Sequence, residues 1–344
     1  MPTAAAARSG GWPTCCSTMA DPTGITAALP RSLLHLRFLI DNDAAPDIVL
    51  FRDPAMRAPL DAAFPGRTLD LGREQLPGRT PASLLAARRA NRAYYPHVRA
   101  LIEQAGIRRL ILFLEGEPLE RFLLTLPTID RVELWEDGLS HYVDLTDPLW
   151  YAARGAVQAA AGFYARSILH RRIDRSRVLV RDRFAARNLR LLPPPPPAGH
   201  RAELLLIGSP LVEDRLIARP RFVRGLASVA AASPWPVRYL PHPREDRTRL
   251  ATDLAPLAQV IVEPDAAGLM THAARYGYAA YAAAVSTGLL DLDRADRSLF
   301  IPALFGLNGM ARTLRQWEAN PVRVVETGEE LQSVLMALEP STPA

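Results

Sequence analysis

The sequence predicts an α/β protein made of two Rossmann-like domains facing each other across a cleft, and three observations predict it. Short apolar runs such as Leu110 to Leu114, Leu204 to Ile207 and Val260 to Val262 alternate with longer stretches of helical spacing, as in a parallel sheet covered by helices. The chain has 344 residues, more than a single hydrophobic core ordinarily serves. Pro193 to Pro197, five prolines in a row, break the pattern, because they can continue neither a helix nor a central strand. The expected organisation is a disordered tail over 1–24, a first Rossmann-like domain over 25–190, a proline-rich linker over 191–201 and a second domain over 202–338.

Taken in order, helical spacing covers Ile25 to Leu39, and Asp47 to Phe51 reads as a short strand closed by Asp53-Pro54. Pro81 to Ala105 is expected to be helical, Leu110 to Leu114 a buried strand ended by Glu115-Gly116, and Leu119 to Leu126 a helix. Val132 to Trp135 is the strand that delivers Glu136 and Asp137, and a long helix is expected from Asp147-Pro148 to about His170. In the second half a strand over Leu204 to Ile207 turns at Gly208-Ser209-Pro210 into a helix from Asp214 to Ala231. The strand Val237 to Leu240 runs into Pro241-His242-Pro243, and Gln259 to Val262 runs into Glu263-Pro264. A helix over Ala266 to Tyr276 and a strand over Tyr281 to Val285 lead to the turn Ser286-Thr287-Gly288. Strands at Leu299 to Ile301 and Val322 to Val325, with helices at Met310 to Glu318 and Glu329 to Leu338, complete the half. In open parallel sheets the ligand crevice lies beyond the carboxyl ends of the strands, where Glu115, Glu136 and Asp137 fall.

Composition narrows the chemistry. The net charge of +5 comes from arginine alone, since the sequence has no lysine. That excludes a Schiff-base lysine and a Gly-Lys-Ser/Thr phosphate loop, while arginine holds phosphates and carboxylates bidentately. An arginine- and alanine-rich composition is equally what genomic base bias produces. Cys15 and Cys16 are the only cysteines and are adjacent, so no disulfide framework or cysteine zinc site is expected, which favours a reducing compartment. No charge-free apolar run reaches a membrane-spanning length, and the first 24 residues lack the apolar centre of a signal peptide, so a cytoplasmic location is expected. Met19 offers a second candidate start. Residues 166–190 hold nine arginines against Asp174 and Asp182, either a face for anionic lipid or a solvated helix face plus linker. Few aromatics accompany them, so nucleic acid is not an expected partner. No metal-ligand spacing occurs, Asp291-Leu292-Asp293 reading as a loop or helix face, and neither a cofactor nor a metal is expected.

Two strings carry the chemistry. Glu136-Asp137-Gly138 puts carboxylates on a strand-ending turn, with Gly138 allowing a backbone path that a side chain would block. Successive strand side chains point to opposite faces, so only one of the two acids should enter a cleft. Pro241-His242-Pro243-Arg244-Glu245 fixes an imidazole able to gain or lose a proton near neutrality, with Arg244 as a second cationic contact unless it pairs within its own string. Transfer of a sugar from a nucleotide to a hydroxyl needs such a pair, a carboxylate for the acceptor proton and a cationic or protonated group facing the departing phosphate. Ser286-Thr287 precedes Gly288 and an expected helix start, an arrangement suited to phosphate, as Gly208-Ser209 also is. The plain alternatives are an ordinary β-turn, a surface His-Pro turn and an ordinary helix N-cap.

In their order and combination, Glu136-Asp137-Gly138, His242-Pro243 and Ser286-Thr287 resemble the motifs of bacterial sialyltransferases of the lipooligosaccharide and polysialic-acid type, over roughly residues 30–335. The resemblance implies the GT-B architecture, with Asp137 as general base, His242 assisting departure of the CMP phosphate, and Ser286 and Thr287 holding that phosphate. It makes Glu263 a candidate for the ribose hydroxyls, with Gly208, Ser209 and Pro243 near the nucleotide and Glu136, Gly138 and Arg244 in support. The implied reaction is inverting transfer of sialic acid from CMP-sialic acid to a capsule or lipooligosaccharide glycan. Alternatives are a transferase for another nucleotide-activated sugar, a nucleotide-sugar epimerase on the same scaffold, and a non-catalytic glycan-assembly protein.

Overall fold

The structure, a computed structural model, describes residues 24–164, 172–264 and 268–338. Cys15, Cys16, Met19 and nearly all of the predicted tail lie outside the described residues, as does part of the basic stretch.

The first half runs β1 (Ile25–Ala28), α1 (Leu33–Asp41), β2 (Ile48–Phe51), α2 (Arg57–Ala63), β3 (Thr68–Asp70), α3 (Pro81–Gln104), β4 (Ile107–Leu112), α4 (Pro118–Leu123), β5 (Arg131–Trp135), α5 (Leu139–Tyr142), α6 (Pro148–Ala160) and β6 (Leu179–Arg181). Its strands lie in the order β3-β2-β1-β4-β5-β6, every pair parallel. The second half runs β7 (Gly199–Ile207), α7 (Arg219–Ala232), β8 (Val237–Leu240), α8 (Arg247–Leu254), β9 (Val260–Val262), α9 (Leu269–Arg275), β10 (Tyr276–Ala283), α10 (Gly288–Asp291), β11 (Ser298–Phe300), α11 (Asn308–Gln316), β12 (Arg323–Val324) and α12 (Gly328–Ala337). Its order is β12-β11-β10-β7-β8-β9, again wholly parallel. Numbered from its own first strand, each half has the doubly wound order 3-2-1-4-5-6, so the same winding occurs twice. Each sheet reverses direction of winding between its first and fourth strands, which places one crevice beside β1 and β4 and another beside β7 and β10.

Alternation along the strands fills both faces of each sheet. Ala27, Leu50, Leu110 and Leu112 pack under Val98 and Ile102 of α3 and Leu119 of α4. Ala28, Val49, Phe51 and Ile111 pack against Phe38 and Leu39 of α1 and Leu60 of α2. Each of the larger of these buried side chains contributes about 1.5–3 kcal/mol. Apolar packing also crosses between the halves: Leu139 and Val143, around α5, are buried in the core of the second half with Leu205, Leu240 and Leu290.

Several expected elements differ. Ile25 to Leu39 is a strand, a turn and a helix rather than one helix, because Pro30 breaks the run and Ser32 caps α1 by accepting the backbone N–H of His35 at 3.3 Å. The helix expected to reach His170 stops at Ala160. Gly162, at φ +77°, sits in the left-handed region just past its end, and Phe163 N–H reaches Gln158 O at 3.0 Å to close the cap. The basic stretch contains the edge strand β6, and α2, β3 and α8 are further elements. β7 already begins at Gly199, inside the expected linker, and β10 occupies Tyr276 to Ala283, starting where the predicted helix ends.

Candidate active site between the two halves

β5 ends in two acids with opposite fates. Glu136 is fully buried, its carboxylate accepting from Arg183 Nη2 at 2.6 Å, Arg183 Nε at 3.0 Å and the Tyr142 hydroxyl at 2.5 Å. Asp137 turns the other way and is 21% exposed. Its Oδ1 is bonded to His35 Nε2 at 2.9 Å and its Oδ2 accepts from Ser140 Oγ at 2.6 Å. Commitment of Glu136 to Arg183 leaves Asp137 as the acid that meets the cavity. Gly138 then takes φ +106° and ψ −147°, a conformation essentially reserved for glycine, and a Cβ there would overlap the Thr287 side chain.

Thr287 therefore bridges the halves, its Oγ1 accepting the Leu139 N–H at 3.2 Å. Ser286 Oγ accepts the Gly288 N–H at 3.1 Å. The helix these hydroxyls precede, α10, has only 4 residues, so the helix-dipole part of the expected phosphate site reduces to a single turn. Ser209 Oγ donates to Val285 O at 2.6 Å, joining the ends of β7 and β10 at the crevice of the second sheet. Gly208 is needed for packing, since a Cβ there would collide with the His242 nitrogen and Leu240 oxygen.

The Pro-His-Pro turn is held from below by Glu245, which accepts the His242 N–H and the Tyr239 hydroxyl, both at 2.6 Å. Burial of Glu245 pushes its carboxyl up to about 7. His242 Nδ1 accepts the Arg244 N–H at 3.1 Å, so its ring proton lies on Nε2. Burial, and then the Arg244 charge, lower the His242 pKa from 6.5, which favours the neutral imidazole with its proton on Nε2. Arg244 pairs with Asp214 at 2.6 and 2.9 Å and Asp246 caps α8, so the string does not pair within itself. Pro243 is exposed.

A cavity of about 1090 Å³ lies between the halves. Leu139, Ser140, Thr146, Trp150 and Arg154 line one wall, and Ser209, Asp214, Arg244, Ser286 and Thr287 line the other. A smaller cavity of about 110 Å³, lined by Phe113, Glu115, Glu117 and Asp137, shares Ser140, Thr146, Trp150 and Arg154 with it. Asp137 thus lines a cavity that shares a wall with the one bearing Ser286, Thr287 and Arg244. His242 and Glu263 do not line that space. Glu263 is turned to Arg238 at 3.1 Å and Arg201 at 3.7 Å, because two partly buried guanidiniums lie on its side of the sheet, and this separates it from the cavity the ribose reading requires.

Among the described residues no three His, Cys, Asp or Glu side chains gather as a metal site. Asp291 is drawn to Arg183 at 2.8 Å. In the described part of the basic stretch Arg175 binds Glu115 at 2.6 Å and Arg181 lies 4.7 Å over the Trp135 ring, while Arg177, Arg187 and Arg190 are exposed, Arg190 pairing with Asp43 at 2.8 Å. Among the described residues no helix is long and apolar enough to cross a membrane.

Sequence reasoning missed His35, Ser140, Trp150 and Arg154. Pro30 followed by Ser32 was a readable turn-and-cap signal for the β1–α1 loop that carries His35. Trp150 has no such local mark; its 53% exposure on the cavity wall is a tertiary fact.

Two facing Rossmann-like lobes of identical winding define the GT-B arrangement. No protein-family model matches the sequence, and no curated protein does. Solved structures similar to it include MurG of Acinetobacter baumannii, at 12% identity and a TM-score of 0.46 over 92% of this chain and 91% of that one. Another is the glycosyltransferase VinC in complex with dTDP, at 12% identity and 0.44 over 91% and 90%. A third is the UDP-GlcNAc 2-epimerase of Methanocaldococcus jannaschii, at 10% identity and 0.42 over 90% and 99%.

Proposed function

We propose that this protein is a glycosyltransferase that moves a sugar from a nucleotide-activated donor to an acceptor hydroxyl, with sialic acid from CMP-sialic acid as the donor reading and a surface glycan as acceptor. The observation that carries the proposal is that Asp137 lines a cavity sharing Ser140, Thr146, Trp150 and Arg154 with the inter-domain cleft, whose far wall bears Ser286, Thr287 and Arg244. In this reading Asp137 takes the acceptor hydroxyl proton as that oxygen bonds the anomeric carbon. The bond from that carbon to the phosphate oxygen breaks, and the nucleotide leaves with the electron pair from the opposite face, inverting the centre. Ser286, Thr287 and Arg244 supply hydrogen bonds and charge to the leaving phosphate. His242 adds its Nε2–H through a shift of the Pro-His-Pro turn within the donor-binding half, and lobe closure brings Asp137 up to the opposite side of the donor. Trp150 and Arg154 form the acceptor wall. In this reading the reaction runs at the cytoplasmic face of a membrane, and the exposed Leu149, Trp150 and Val157 of α6 support that side as the one nearest a membrane-anchored acceptor.

Isothermal titration with CMP, UDP, GDP and dTDP tests the donor, and CMP is expected to bind tightest. Asp137→Asn should bind nucleotide normally while losing about 10²–10⁴-fold in transfer, the usual worth of a general base. Full transfer by that variant would remove the proposal. Tightest binding of UDP or dTDP would keep the transferase and replace the sialic acid.

A further inference from the structure

The carboxylate of Asp137 is not free to rotate, and the group that holds it comes from the far end of the first domain. His35 is 2% exposed and its ring stacks on Phe113 with centroids 4.2 Å apart and planes 5° apart. The Arg31 backbone N–H donates to Nδ1 at 3.0 Å. Nδ1 must therefore present a lone pair, and the ring proton resides on Nε2, which donates to Asp137 Oδ1 at 2.9 Å. Ser140 Oγ donates to Oδ2 at 2.6 Å. Each carboxylate oxygen thus meets one fixed donor, from α1 and α5 respectively. The reverse arrangement, with His35 taking the acceptor proton and Asp137 behind it, requires an imidazole lone pair facing the cavity. Both ring nitrogens are occupied, and His35 lines neither cavity while Asp137 lines one.

We propose that His35 is the positioning residue of the site: an Nε2–H imidazole, locked by the Arg31 N–H and by stacking on Phe113, that aims Asp137 at the acceptor hydroxyl. This role rests on the reading of Asp137 as the base. A carboxylate left to rotate spends most of its time off the line of proton transfer, and misplacement of this kind costs on the order of 10²-fold.

The test has two parts. Imidazole ¹⁵N spectra of the full-length protein, with the His35 signals assigned by their loss in His35→Gln, should show Nε2 protonated and Nδ1 not; the opposite tautomer overturns the proposal whatever the protein catalyses. In transfer assays His35→Leu should lower kcat about 10²-fold with both KM values within about twofold. His35→Gln, whose amide N–H can reach Asp137, should recover at least about tenfold of that loss, and urea midpoints confirm that both variants fold. If His35→Gln is as inactive as His35→Leu, or His35→Leu is fully active while Asp137→Asn is dead, His35 loses this role and the function proposed for Asp137 stands. If Asp137→Asn is fully active, the function fails first and the role of His35 fails with it.

Discussion

Asp137 and Glu136 show how neighbouring, chemically similar residues acquire different work. The strand turns their side chains apart, and Arg183 and Tyr142 then consume the charge of one while the cavity receives the other. Gly138 makes the turn possible. At φ +106° and ψ −147° an alanine is strained by about 1–3 kcal/mol, and its Cβ would also displace Thr287. Gly138→Ala should therefore lower stability by at least about 1–3 kcal/mol in urea unfolding. Nucleotide binding should weaken with it, since Thr287 sits on the cavity wall and cannot stay in place.

At the scale of an element, the first turn of α4 carries a buried acid that the site does not use. Glu120 is 1% exposed, with Arg31 Nη1 3.2 Å away, and burial raises its carboxyl from 4.5 to about 7 against the lowering pull of Arg31. Between those values the folded protein holds a proton that the unfolded chain has released. The contribution to stability is complete below pH 4.5 and is lost as the pH rises through 7. Glu120→Gln removes that dependence, so urea titrations at pH 4.5 and 7.5 should show the variant gaining about 3 kcal/mol on the wild type across the interval. α6 teaches a complementary lesson. Its end is written in a single Gly162, yet apolar spacing beyond that point mimics a continuing helix, and spacing alone overruns the cap.

Over the whole molecule, the halves are joined by more than a linker. Arg183 is 9% exposed and binds Glu136 in its own domain while reaching Asp291 at 2.8 Å and Leu290 O at 3.1 Å in the other. Tyr142 stacks on Trp317 at 4.6 Å beside it. Removing one partner of a buried pair leaves an uncompensated charge, so Arg183→Leu should cost about 3–5 kcal/mol in urea unfolding, whereas converting Glu136 and Asp291 to amides in the same chain should restore much of it. Because this tie lies directly behind Asp137 and Thr287, the same variant should also loosen the cleft, read as a larger radius of gyration in solution scattering.

The sequence by itself determined the strand-helix alternation, the two halves and the turn residues at the ends of β5, β8 and β10, since apolar period, prolines and glycines act over a few residues. It also put Glu136 and Asp137 at a strand end, though it left open which acid enters the cleft. Only the tertiary structure decided that His35 meets Asp137 across 102 residues of chain, that Arg183 takes Glu136 out of the chemistry, and that Thr287 rests on Gly138. It likewise turned Glu263 toward Arg238 and away from the cavity. Those pairings depend on parallel register and on how two separately wound sheets come to face each other, and no local pattern of residue types encodes which distant side chain will arrive at a given strand end.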